Sequence, residues 1–301
     1  MELRVLKYFL MTAREENITK AANLLHITQP TLSRQLMKLE EDLGVKLFRR
    51  SNHSIVLTED GMLLKRRAQE IVTLAEKTEQ ELSRREEELT GSVSIGCGET
   101  RNMSVLSEHM AAFREKHPLV RFNIYSATAD EIKERIEKGI LDFGLLLEPV
   151  DISRYDFVRM PHKEQWGALV REDFPLADKE FVTPEDFRGV PVIMARRESV
   201  KNELAGWFGE VYEELEIAAT YNLLLNAVNM VKNHVGAALG FNLDSGYAGL
   251  KFIPFLPKLE SGAVLVWKKD QVVSEVTKCF RESVKKDILE ISLSPISVAE
   301  G

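Results

Sequence analysis

Near the start of the chain, apolar positions recur every three or four residues. Leu3, Leu6, Phe9, Leu10 and Ala13 form one stripe, with Glu2, Arg4, Lys7 and Arg14 between them. This spacing predicts an amphipathic helix ending near Glu16. A shorter helix is expected next, capped by Asn17 or Thr19 and running through Leu25. Its Ala21 and Ala22 are small enough to let another helix cross closely. Only "HIT" intervenes before a third helix. Thr28 is its candidate cap, and Pro30 sits in the first turn, where its missing N–H is not required. That helix should run to about Leu43 and stop at Gly44. Leu32, Leu36 and Leu39 fall on one side of it; Thr31, Ser33, Arg34, Gln35 and Lys38 fall on or near the other.

A tight helix-turn-helix anchors its second helix by the apolar face and leaves the polar face free. The free face carries donors and acceptors suited to base edges and phosphates. Gln29 and Thr31 stand at the helix N-terminus, where backbone N–H groups favour phosphate. After Gly44, "VKLFRRSNHSIVLTEDG" alternates weakly around the turn "SNHS". It reads as a small hairpin, or wing, whose Arg49, Arg50 and His53 can reach sugar-phosphate or a narrow minor groove.

From residue 59 the period changes. Leu64, Ala68, Ile71, Ala75, Thr78, Leu82, Arg85 and Leu89 step by 4, 3, 4, 3, 4, 3, 4, a heptad seam on a charged helix. The seam predicts a dimerisation helix over residues 59–89, which would pair two recognition helices on two half-sites; the other reading is a long solvated helix lying on the chain's own body. A fresh pattern begins at Gly91. "GSVSIGCGET" reads as a strand and turn, residues 101–116 as a helix, "HPLVRFNIYSA" as a strand, "TADEIKERIEKG" as a helix with a Thr128/Glu131 capping box, and "LDFGLLL" as a buried strand. Strand–helix alternation implies a parallel sheet. The pattern then restarts through "EQWGALV", "VPVIMA", "SVKNELAGWFGEV", "EIAATY", "NLLLNAVNMVKNHV" and "GAALGF", is closed by "GAVLVWKK", and ends in an amphipathic helix. The expected plan has a winged helix-turn-helix head at 1–58, a linker helix at 59–89 and a two-lobed α/β body at 90–301. Lobe I would take about 91–161 plus 269–301, and lobe II about 162–268. Two such lobes with a cleft between them resemble periplasmic binding proteins and suit a hinged small-molecule binder.

Charge sharpens this division. The 301 residues carry a net charge of −7. Residues 1–58 hold nine Lys/Arg and six Asp/Glu, or +3, leaving −7 − 3 = −10 for the remainder. A basic head on an acidic body points to different partners for the two parts. Cys97 and Cys279 make no disulfide framework and read as ordinary apolar thiols of lobe I. No apolar run reaches the length of a membrane span, and the charged N-terminal segment is unlike a signal peptide. A cytoplasmic location is therefore expected, with no membrane partner. The six histidines show no metal-ligand spacing. No phosphate-binding loop, dinucleotide fingerprint or nucleophile motif occurs, so neither an enzyme nor a cofactor is expected. Thr100 and Thr128 read as helix caps, and two such N-termini would suit a small carboxylate or similar anion if both faced one cleft. Arg196, at the end of "VIMA", can pair with that anion. The rival reading is a soluble small-molecule-binding protein whose head does not read DNA.

"ITKAANLLHITQPTLSRQLMKLEEDLGVKLFRR" and "LTEDG", in this order and spacing, resemble the winged helix-turn-helix of LysR-type transcriptional regulators. "GILDFGLL" and "EDFPLA" extend the resemblance over almost the whole chain. The resemblance implies a homodimer or a dimer of dimers on an interrupted palindrome, an effector between two lobes, and contact with RNA polymerase. Transferred by position, Gln29, Pro30, Thr31, Ser33 and Arg34 would face the groove, with Arg50 at the wing beside the backbone; Lys38, on the same polar face of the third helix, would suit phosphate. Leu64, Ala68, Ile71, Ala75 and Leu82 would make the dimer seam. Thr100 (with Arg101 beside it) and Thr128 would contact effector. Two positions depart from the family pattern. His53 stands near the place of a basic wing residue, and His234 stands where glycine is usual in the turn "KNHVGAAL".

Overall fold

The computed structural model describes residues 1–51, 54–82, 89–243 and 246–293. His53 and Arg85 lie outside the described residues, and only the backbone of Arg50 and Leu82 is described. The chain forms two compact units, Met1–Ser83 and Arg84–Gly301.

In the first unit, α1 (Leu3–Glu15), α2 (Ile18–Leu24) and α3 (Gln29–Leu43) precede a hairpin of β1 (Phe48–Ser51) and β2 (Ser54–Leu57), and α4 (Glu59–Leu82) closes it. The Asn17 side chain accepts the Lys20 N–H at 2.9 Å and so caps α2. Gly44 ends α3 in the left-handed region, φ 70°. Leu6, Phe9, Ala21, Ala22, Leu32, Leu36, Leu39 and Leu47 pack into one core. Ala68 and Val72 of α4 belong to that same core, so the first half of the linker helix is part of the head. Gly61 makes this packing possible. A Cβ there would stand 2.1 Å from the Leu47 carbonyl oxygen, and the Thr58 hydroxyl accepts the Gly61 N–H at 3.0 Å. The "LTEDG" segment is thus the joint between wing and α4.

The second unit contains β3 (Gly91–Cys97), α5 (Asn102–Lys116), β4 (Val120–Ser126), α6 (Ala129–Glu137), β5 (Phe143–Leu147) and β6 (Tyr155–Arg159). There follow β7 (Glu164–Arg171), β8 (Pro191–Ala195), α7 (Glu198–Phe208), β9 (Glu216–Tyr221), α8 (Leu224–Lys232), β10 (Ala237–Phe241), β11 (Leu250–Pro254), β12 (Glu260–Ser261), β13 (Ala263–Lys268) and α9 (Glu275–Leu293). Lobe I is built on the sheet β4-β3-β5-β13-β6, and lobe II on β11-β7-β10-β8-β9, with β12 beside β7. β3 runs parallel to β4 and β5, and β8 runs parallel to β9 and β10, so each lobe has the expected parallel core.

One boundary needs correction. β13 was expected to close lobe II, yet it pairs antiparallel with β5 and β6 and so lies inside the sheet of lobe I. The chain therefore re-enters lobe I at Ala263 rather than after Lys268. An apolar strand buried on both faces suits either sheet, and only its hydrogen-bond partners decide. α9 returns to lobe I as expected. Its Phe280 ring meets Phe113 at 5.3 Å and Phe122 at 4.9 Å, edge to face. His234 has φ 62°, so a side chain occupies a left-handed turn that glycine adopts at least cost.

Candidate nucleic-acid interface and interlobe cleft

In the head, the two faces of α3 have different fates. Leu32, Leu36 and Leu39 are buried. Gln29, Pro30, Arg34 and Lys38 are exposed, and Thr31 and Ser33 are half-buried beside them. The Arg34 Nε donates only to the Pro30 carbonyl oxygen, at 3.4 Å, and neither Arg34 nor Lys38 has an acidic partner among the described residues. Two cations therefore stand uncompensated on one face. Arg49 is exposed on β1. The wing is held to α3 by Glu40, a residue with no role in the sequence reading. Its carboxylate accepts the Lys46 ammonium at 2.7 Å and the N–H groups of Leu47 and Phe48 at 2.8 and 3.3 Å. Burial pushes the Glu40 carboxyl up, but these donors outweigh it and hold the group below its ordinary value.

The expected dimer seam divides. Ala68 is fully buried in the head's own core and Leu64, half-buried, packs against it, so these two serve the head. Ala75 is half-buried. Ile71 remains exposed at 41%, and so do Leu63 at 53% and Leu74 at 42%. The free stripe therefore runs Leu63, Arg67, Ile71, Leu74, Thr78, rotated about 100° from the buried one, which is one residue's turn of a helix. The heptad count merged two stripes because they adjoin on the same helix.

Within the second unit a cavity of about 640 Å³ lies between the lobes, inside the range of roughly 300–1,000 Å³ that takes small ligands. Gly98, Glu99, Thr128 and Leu145–Leu147 line it from lobe I; Trp166, Arg196, Arg197, Tyr221, Leu224 and Phe241 line it from lobe II. Thr128 opens α6 with its capping box, where Glu131 accepts the Thr128 N–H at 3.0 Å. Arg196 is exposed at the cavity.

Thr100 does not serve the cleft, and the expectation for it is corrected. Its hydroxyl donates to Glu164, which is 0% exposed. The same carboxylate accepts the Asn102 amide at 2.9 Å and the Arg101 N–H at 3.4 Å. The N-terminus of α5 is therefore already filled by the chain's own carboxylate, and neither Thr100 nor Arg101 lines the cavity. This knot ties α5 to the crossover into β7, where the Asn102 amide also donates to the His162 carbonyl at 2.8 Å.

Glu99, read from sequence as part of a plain strand-end turn, is the residue that reaches the cavity instead. It crosses to lobe II and accepts the N–H of Leu224, and that of Leu225 at 3.4 Å, at the start of α8. The α8 cap position is Leu223, whose side chain makes no capping bond. The available signal was its place just past the carboxyl end of a parallel strand, where α/β sheets bind ligands. Cys97 lies beneath. Burial first, then Glu164 and Glu99, push its thiol up to about 12, which suppresses the thiolate that redox chemistry needs.

Residues 3–62 match the family model described as the bacterial regulatory helix-turn-helix protein, lysR family, and residues 86–288 match the LysR substrate binding domain. The chain belongs to the LysR family. This LysR-type regulator is 28% identical over 285 residues to the Hca operon transcriptional activator HcaR of Escherichia coli (strain K12), covering 90% of this chain and 93% of that one. It is 30% identical over 209 residues to the transcriptional activator IlvY of Salmonella typhimurium, covering 69% and 71%. The crystal structure of CbnR, a LysR family transcriptional regulator, shares the fold with a TM-score of 0.77 at 22% identity, over 96% of this chain and 99% of CbnR. CbnR has also been solved with its target DNA, and that structure matches with a TM-score of 0.74. The protein is thus a DNA-binding transcriptional regulator with an effector-binding domain. Among the described residues, no helix is long and apolar enough to cross a membrane.

Proposed function

We propose that this regulator reads an operator with α3 in the major groove of double-stranded DNA. Gln29, Thr31, Ser33 and Arg34 meet base edges, Pro30 starts the helix against the backbone, and Lys38 neutralises phosphate. Arg49, Arg50 and His53 bring the wing to the flanking backbone. Two copies pair through the Leu63/Ile71/Leu74 stripe of α4, giving a dimer, or a dimer of dimers, whose heads address two half-sites. A small effector with an anionic group enters the interlobe cleft beside Thr128, where Arg196 attracts it. Binding biases the angle between the lobes about their two crossovers. The change in head spacing then alters the DNA and its contact with RNA polymerase.

The observation that carries the reading is the exposed Arg34 and Lys38 on α3, without acidic partners, opposite a sealed leucine face. The test is fluorescence anisotropy of the full-length protein on an operator selected from a random duplex pool. Arg34→Ala should weaken specific binding by about 1–3 kcal/mol and relax preference at one base position. Lys38→Ala should weaken all sequences alike and reduce the salt slope by roughly one. Unchanged operator affinity in Arg34→Ala would remove this reading face.

A further inference from the structure

The charges lining the cleft do not all cancel. The cavity wall carries four carboxylates, Glu99, Asp130, Glu131 and Glu148, and two guanidiniums, Arg196 and Arg197. Most of these are matched within the chain. Asp130 pairs with Lys133 at 3.4 Å and with Arg197 at 3.7 Å. Glu148 pairs with Arg159 at 2.8 Å, and Glu131 is taken up by the Thr128 capping box. Among the described residues, Glu131 and Glu99 have N–H or hydroxyl partners but no cationic one, Arg197 Nε is buried without a hydrogen-bond partner, and Arg196 has no anionic partner. Of these, Glu99 stands on the lobe I wall and Arg196 on the lobe II wall, each free to take a ligand charge. The wall also carries Leu145, Leu147, Trp166, Val200, Met230 and Phe241, beside the polar Thr128, Thr220, Asn222 and Asn226.

We infer that the cleft takes a zwitterion: a small molecule that brings a protonated amine to Glu99 and a carboxylate or similar anion to Arg196, with an apolar group against the leucine and aromatic side chains of the wall. This rests on the cleft being the effector site. A carboxylate has about four acceptor positions, so the two N–H groups of α8 leave Glu99 room for an ammonium. The helix contacts fix its direction, which lowers the entropy lost when it binds. The same carboxylate repels a ligand that brings only negative charge to that end. Glu99 is therefore a specificity-determining residue. It also lies on the bond between lobe I and α8 of lobe II, so an amine placed there acts at one of the contacts that join the lobes.

The test titrates the full-length protein, by calorimetry, with probes that share a skeleton: L-phenylalanine, 3-phenylpropanoate and 2-phenylethylamine, and in parallel L-leucine, 4-methylpentanoate and 3-methylbutylamine. At least one amino acid should bind about tenfold more tightly than its desamino acid, the size of one charge-assisted hydrogen bond. Glu99→Gln keeps an oxygen for the Leu224 N–H and should reduce that gap to about twofold or less by the loss of the same bond. Arg196→Gln should weaken amino acid and desamino acid alike and leave the amine unaffected. The assignment is overturned by desamino acids binding as well as amino acids, by an amine preference that survives Glu99→Gln, or by no binding of either amino acid up to its solubility. Binding of the desamino acids alone would sink the zwitterion and leave the effector cleft standing. The DNA-reading proposal fails separately, on Arg34→Ala.

Discussion

The reading face of the head and the cleft of the body are built in opposite ways. The first lies on one 15-residue helix, α3, whose neighbours in space are neighbours in sequence. The second is assembled from segments between Gly98 and Leu243, and its character is set by pairs far apart in the chain, such as Asp130 with Arg197 and Glu99 with Leu224. A convex site on a helix is a local property, because side-chain direction follows from the helical period. A concave site is a property of which residues remain unpartnered after folding. The head's anion-seeking cations are visible in sequence, whereas the cleft's spare carboxylate emerges only once its other acids have found partners.

That contrast can be broken at the pairing proposed for α4. Ile71→Glu with Leu74→Glu places charge on the free stripe of α4 while leaving Ala68 and Val72 in the core. The expected result is a monomer by light scattering, with operator affinity lower by about 10²-fold or more through lost bivalency. An unchanged dimer would put the interface elsewhere. Next in size are two substitutions that should act on one unit each. Gly61→Ala drives a Cβ against the Leu47 carbonyl and should destabilise the head by about 1–3 kcal/mol. Glu164→Ala leaves the Thr100 hydroxyl and the Asn102 amide without their buried acceptor and should cost the body about 1–3 kcal/mol. Calorimetry should show the first lowering the head transition alone and the second the body transition alone. Coupled shifts would mean that the units do not melt separately.

The smallest expected effect concerns acid. Glu40 has its folded value lowered, so its stabilising contribution is complete above the unfolded value and is lost as pH falls through the folded one. Head stability should therefore decline below the ordinary carboxyl value of 4.5. Glu40→Gln should be less stable at neutral pH and show a flatter profile below it, as followed by circular dichroism. A variant with the wild-type acid slope would remove Glu40 as the wing's anchor.

Much of the fold was legible from periodicity and punctuation. The three head helices, with Asn17 and Gly44 at their ends, follow from stripe, cap and stop signals. The hairpin and most strands of the body follow from alternation or short apolar runs. The short strands β6 and β11 were missed because neither five-residue segment has a strong period. β13 was seen as a strand but given to the wrong lobe, since a segment buried on both sides carries no label of its partner. The heptad on α4 mixed positions of two adjoining stripes, Ala68 in the core and Ile71 exposed, because a helix with two such stripes does not say which one its own chain will cover.

By itself, the sequence determined the class of each element, the basic helix-turn-helix head, the acidic two-lobed body and the exposed identity of Gln29, Arg34 and Lys38. These depend on interactions spanning a few residues, where geometry is set by the helical or strand repeat. Only the tertiary structure decided that Ala68 is core, that Thr100 turns to Glu164, and that Glu99 and Arg196 face the cleft without counter-charges. Those outcomes depend on competition between distant groups for the same donors and acceptors, and a buried polar group takes whichever partner the fold brings within hydrogen-bond reach.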